Sequence, residues 1–170
     1  MSFSFKDRTK LKKKIFQNLM NMKSVISVTL VGSFWEKKIL KDFSDIDIVI
    51  ILDNFSKIKY QECIKRLKRI NLEEFNLGNL KLFINPTFGP LKFDSKESIV
   101  FHTMIYDQKS HINHVLKSPF TCYDWERSNF YKGLSLKNIF PVGKIQLIDF
   151  YNARRGVKDY LYNLKNNFIS

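Results

Sequence analysis

Asp45 and Asp47 stand one residue apart at the head of an apolar run that reaches Leu52, broken only by Asp47 itself. In a strand, residues i and i+2 point to the same face, so the two carboxylates project side by side with Ile46 behind them. Carboxylates held that close repel, and each raises the other's pKa unless a cation lies between them. A hard divalent cation relieves this: Mg²⁺ takes one or two carboxylates and completes its shell with water and phosphate oxygens. Upstream of Asp45, with eleven residues between, Gly32-Ser33 closes the run Val25-Ile26-Ser27-Val28-Thr29-Leu30-Val31. Gly32 lets the backbone approach a ligand and tolerates a positive φ. Ser33 offers a hydroxyl and opens a helical turn, whose free N–H groups suit a triphosphate. A phosphate cradle beside a metal-binding pair is the layout of a phosphoryl- or nucleotidyl-transfer site.

Such a site needs rigid supports, and the flanking pattern supplies them. Phe5, Leu11, Ile15, Leu19 and Met22 recur at helical steps, predicting an amphipathic helix from 5 to about 22. The β-branched run 24–31 predicts a buried strand. A short helical turn follows through Phe34 to Lys38, and 45–52 is a second strand. Tyr60, Cys63, Ile64, Leu67 and Ile70 mark a helix over 57–70. Next come a strand at 80–84, a Pro86-to-Pro90 turn, a short strand at 91–93 and a strand from Ser98 to Tyr106, expected to pair antiparallel because the links look short. Residues 118–125 read as irregular, and 143–166 as a helix with Ile145, Ile148, Tyr151 and Leu161 inward. The fold class is therefore α/β (α+β): a mixed β-sheet flanked by helices, ending in a C-terminal helix. One domain is expected over 1–170, with its core in 24–107 and a helical part in 108–170.

At Val31-Gly32-Ser33 and Asp45-Ile46-Asp47-Ile48, with the eleven-residue spacer between Ser33 and Asp45, the chain resembles the DNA polymerase β-like nucleotidyltransferase superfamily, as a small single-domain member. Ser44 is a position often occupied by Ser in small members. The resemblance is strong over about 25–52 and rests elsewhere on element order. It implies that Asp45 and Asp47 hold Mg²⁺ (or Mn²⁺) and that Gly32, Ser33 and Ser44 bind a nucleoside triphosphate such as ATP. It implies transfer of the nucleoside monophosphate group to a small-molecule, protein or RNA acceptor, with release of pyrophosphate. The family pattern also wants a third carboxylate on a later strand. Here His102 holds that central position, with Asp94 in the preceding turn and Asp107 at the strand end. A neutral imidazole would serve as general base near pH 7 or as a metal ligand. A packed, hydrogen-bonded histidine is the bland alternative, and with it a catalytically degenerate module that binds nucleotide or RNA. The resemblance also leaves room for a toxin–antitoxin role with an antitoxin as partner.

Other residues carry weaker signals. Lys37, Lys38 and Lys41 lie between the motif halves and suit a solvated loop better than a phosphate site. Trp35 is expected in the core rather than against a base. Arg154 and Arg155 suit surface salt bridges. His111 and His114 share a helix face but lack a third ligand at matching spacing. Cys63 and Cys122 read as isolated, buried thiols. The formal charge is +13, from 29 Lys and Arg against 16 Asp and Glu. Only six of the 29 are Arg, the side chain best suited to bidentate phosphate and base contacts. The lysines accompany many Asn, Ile and Phe, the usage of an AT-rich genome, so nucleic acid is not favoured as partner. The N-terminus has no apolar h-region and no run is long enough to span a bilayer, which predicts a cytoplasmic protein without a membrane partner.

Overall fold

The computed structural model describes residues 4–36, 45–85 and 98–168. Helix α1 spans Phe5–Met20 and opens on a reciprocal cap: the Ser4 hydroxyl accepts from Asp7 N at 3.1 Å, and the Asp7 carboxylate accepts from Ser4 N at 3.3 Å. Its buried stripe is Arg8, Leu11, Ile15 and Leu19. Phe5, expected to face inward, is 74% exposed, with the Arg8 guanidinium 5.2 Å from its ring centre. It sits at the very first helical position, before the stripe reaches the sheet.

Strands β1 (Val25–Val31) and β2 (Asp45–Leu52) pair antiparallel, with Val31 opposite Asp47. Between them, α2 (Ser33–Glu36) forms the short expected turn. Helix α3 (Lys57–Lys68) follows, capped by Ser56, and then a 3₁₀ turn at Leu72–Phe75. β3 (Lys81–Ile84) and β4 (Ser98–Asp107) come next. Helices α4 (Gln108–Lys117) and α5 (Pro119–Glu126), strand β5 (Tyr131–Gly133), helix α6 (Leu136–Ile139) and helix α7 (Leu147–Phe168) complete the order.

The five strands lie in the order β3-β4-β2-β1-β5. β4 runs parallel to both β2 and β3, while β1 is antiparallel to β2 and to β5. The sheet is mixed, as expected, but the antiparallel pairing expected for β3 and β4 is wrong. Thirteen residues separate Ile84 from Ser98, enough for the crossover that a parallel pair requires. The turn at 86–90 and the short strand at 91–93 fall outside the described residues.

Two further expectations fail. Residues 118–125 are mostly helical: Pro119 sits at the first position of α5, where its missing N–H costs nothing. Its apolar residues do not repeat at a helical period, so no stripe announces it. In α7, Ile148 and Tyr151 are exposed rather than inward; Leu161 has no described side-chain environment.

One face of the sheet packs Val28, Leu30, Ile46, Ile48, Ile50 and Leu52 against α1, α3 and the 3₁₀ turn, forming the main core. The other face holds a smaller cluster, Val31, Val49, Ile51 and Leu136, with Met104, Tyr106 and Trp125 beside it. Among the described residues no helix is long and apolar enough to cross a membrane.

Candidate functional site

The second face of the sheet changes character along β2. At its far end Val49 and Ile51 are buried, whereas Asp45 and Asp47 at its start are half-buried. Strand alternation puts both carboxylates on that face, and the parallel register sets His102 directly beside Asp47. The antiparallel register brings the end of β1 to the same place, with Val31 opposite Asp47 and Gly32 just beyond. Gly32 has φ +81°, and a Cβ there would collide with the Asp47 carboxylate. Only glycine allows that carboxylate to lie against the backbone at this turn.

Burial is the main cause that pushes the Asp47 carboxyl up to about 6, with the Asp45 carboxylate adding to it and His102 opposing it. Near neutral pH the site therefore carries a poorly solvated negative charge beside a second carboxylate. Two oxygen donors on one rigid strand in that state fit a hard divalent cation. Among the described residues no group of three or more His, Cys, Asp or Glu is arranged to hold a metal ion. Among the described residues, Asp45 and Asp47 are the carboxylates placed to hold such a cation, with His102 beside Asp47.

The turn after Gly32 is anchored from below. Phe34 and Trp35 are each 3% exposed, with ring centres 4.5 Å apart edge to face, and Trp35 also lies against Phe130. Trp35 belongs to the core and is not free to stack on a base. The Arg8 guanidinium donates to the Phe34 carbonyl at 3.0 Å, tying α1 to α2. Arg8 was not singled out from the sequence. Its signal was there, because Arg8, Leu11, Ile15 and Leu19 follow one helical stripe and a cation in such a stripe needs a buried acceptor.

Asn85 is a second support missed in the sequence. With φ +46°, it follows β3 and takes over that strand's pairing with β4. Its Nδ2 donates to the Thr103 carbonyl at 2.9 Å, its Oδ1 accepts from Thr103 N at 2.7 Å, and its own N–H donates to the Phe101 carbonyl at 3.0 Å. Both neighbours of His102 are held by this one side chain and its backbone.

Of the three residues weighed for the third position, His102 alone is described beside the carboxylate pair. Asp107 pairs with Leu52 at the opposite end of β2, five residues from His102, or about 17 Å along a strand. It caps α4 by accepting from Ser110 N at 2.7 Å, and the Ser110 side chain and backbone together hold its carboxyl below the usual range. Asp94, Ser44, Lys37, Lys38 and Lys41 lie outside the described residues. Ser33 opens α2 directly after Gly32, and Trp35 N donates to the Gly32 carbonyl at 3.2 Å.

His111 and His114 do share one side of α4, turned into the smaller core. His114 is stacked between Tyr106 and Trp125, with ring centres 5.3 and 5.2 Å away. Burial lowers both imidazole pKa values, keeping the rings neutral. Among the described residues no third ligand stands with them. Cys63 and Cys122 are free and buried, and burial raises both thiols, to about 11 and about 12.

Comparison with curated proteins and with solved structures gives no match. The family model for the nucleotidyltransferase domain matches residues 11–106, more than half of the chain. That span runs from α1 through β4 and contains Gly32, Ser33, Asp45, Asp47 and His102. The chain belongs to the nucleotidyltransferase domain family, within the DNA polymerase β-like superfamily.

Proposed function

We propose that the protein transfers a nucleoside monophosphate group from an NTP to an acceptor hydroxyl or phosphate, releasing pyrophosphate, with Mg²⁺ or Mn²⁺ bound at Asp45 and Asp47. The observation that carries this reading is the carboxylate pair at the start of β2, with Asp47 pressed against Gly32. Bound there, the cation would neutralise phosphate charge and polarise the α-phosphorus toward attack. Asp45 and Asp47 orient that cation from a rigid strand. The Gly32-Ser33 turn, together with Ser44, binds the triphosphate through backbone N–H and hydroxyl groups. His102, beside Asp47, accepts the proton of the attacking group. Catalysis in such a site is mostly positioning and charge neutralisation.

The whole chain acts as one domain in this reading, and its setting is the cytoplasm. The acceptor class is the open element: a small molecule, a protein side chain or an RNA end all suit the chemistry. A toxin–antitoxin pairing is one setting in which such transfer would be used.

A second reading has its own support: the position beside Asp47 holds His102 and not a carboxylate. A site short of one acid would bind nucleotide, with RNA as an alternative ligand, and turn it over slowly or not at all. Pyrophosphate release from labelled NTPs, with a panel of hydroxyl compounds, a protein acceptor and an RNA oligonucleotide, separates the two. Release that falls in His102→Ala and recovers in His102→Asp supports transfer. Tight NTP binding without release in any of the three favours the binding module.

A further inference from the structure

Helix α7 turns its small and polar residues toward the rest of the protein. Asp149, Asn152, Ala153 and Gly156 recur at helical steps and, with Val157, line a groove of about 460 Å³ whose other wall is Lys117 to Thr121. A Cβ on Gly156 would meet nothing within 4 Å, so the groove is loosely filled. The opposite side of α7 presents Leu147, Tyr151, Arg154, Arg155, Lys158 and Tyr162 at steps of four, three, one, three and four, all exposed. Leu147 is 69% exposed, Tyr151 60% and Tyr162 70%, and Ile148 continues the patch. Scattered apolar residues on a surface need no explanation. The cluster Leu147, Ile148 and Tyr151, with Tyr162 about three turns further along the same face, does, because an amphipathic helix normally buries such side chains.

We propose that α7 is a docking helix for an acidic protein partner, one that offers an apolar groove or helix face bordered by carboxylates. The order of residues along the row selects this occupant. Leu147 and Tyr151 stand at one end, Tyr162 at the other, and Arg154, Arg155 and Lys158 between them. Among the described residues no ion pair engages these three cations. A second copy of the chain would bring two cationic centres together on a protein that already carries +13. A bilayer would have to take the guanidinium groups into the middle of the buried stripe. RNA would use the cations and tyrosines but leave Leu147 and Ile148 bare. Carboxylates interleaved with apolar side chains satisfy the whole row, in the manner of a helix seated in a groove. The inference is independent of nucleotide transfer.

The test uses the full chain and two labelled synthetic amphipathic helices, one of Leu and Glu and one of Leu and Lys, read by fluorescence anisotropy. The acidic helix is expected to bind at least about tenfold more tightly than the basic one, and more weakly as salt rises. Tyr151→Glu/Tyr162→Glu and, separately, Arg154→Glu/Arg155→Glu should each weaken it about tenfold with an unchanged thermal melt, since all four side chains are exposed. Equal binding of the two helices, or variants that bind the acidic helix like the wild type, would overturn the proposal. So would a dimer in sedimentation velocity that Tyr151→Glu dissolves. An RNA oligonucleotide or phosphatidylserine vesicles that bind more tightly than the acidic helix, and are lost with the same variants, would overturn it as well.

Discussion

Strand β2 presents two surfaces that obey different rules. On one, Ile46, Ile48, Ile50 and Leu52 are fully buried against α1 and α3, and apolar burial is all they contribute. On the other, Val49 and Ile51 are equally buried, but Asp45 and Asp47 replace them where the strand begins. A single alternating strand thus carries a core on one side and a charged site on the other, about 3.3 Å apart along the chain. The core face supplies the stiffness that holds two repelling carboxylates in place. The difference between the faces is therefore one of function against stability, and it can be broken from either side.

The largest effect is expected at the charged end. Asp45→Asn or Asp47→Asn should lower pyrophosphate release at least about a thousandfold, a rise of about 4 kcal/mol in the barrier, while the urea midpoint at neutral pH does not fall. On the core face the pattern reverses. Ile48→Ala should cost about 2–4 kcal/mol in urea denaturation, because a fully buried side chain leaves a cavity; nucleotide affinity in the remaining folded protein should stay near wild type. A neutral effect of Ile48→Ala on stability would mean that this face is not the main core.

Gly32→Ala tests the contact between the two strands. The new Cβ meets the Asp47 carboxylate at a residue with φ +81°. A loss of about 1–2 kcal/mol in stability and at least about tenfold in Mg²⁺-NTP affinity is expected, measured by urea titration and calorimetry.

The smallest effect is a pH dependence. The folded pKa of Asp47, about 6, lies above the ordinary carboxylate value of 3.8, so the folded state holds this proton more tightly than the unfolded one. Its contribution to stability is full below about pH 4, is lost as pH rises through 6, and stays lost above that. After allowance for solvent screening at a half-buried group, this is on the order of 1–2 kcal/mol. Asp47→Asn should remove that slope, equal the wild type near pH 4 and exceed it near pH 7.5 in metal-free buffer. A parallel pair of stability–pH curves would show that Asp47 is not strained.

Much of this contrast was legible in the residues themselves. The alternation in 45–52 predicted which face of β2 each side chain joins, and Gly32 marked the turn that meets it. Arg8 and Asn85 were hidden because their roles depend on partners 26 and 18 residues away, which no local period reports. Helix α5 was missed for lack of a stripe, and the parallel pairing of β3 with β4 because a strand's direction is set by its crossover and not by its own residues. In α7 the helix was foreseen but not its orientation: Ile148 and Tyr151, expected inward, are exposed, because amphipathicity says only that a face wants cover. It does not say whose.

The central claim is that Asp45 and Asp47 bind NTP through a divalent cation. Calorimetry of NTP binding with and without Mg²⁺, on wild type beside Asp45→Asn/Asp47→Asn, tests it most directly. The account predicts binding that requires Mg²⁺ in the wild type and vanishes in the double variant. Equal binding by both proteins, or none by the wild type with either Mg²⁺ or Mn²⁺, would contradict it.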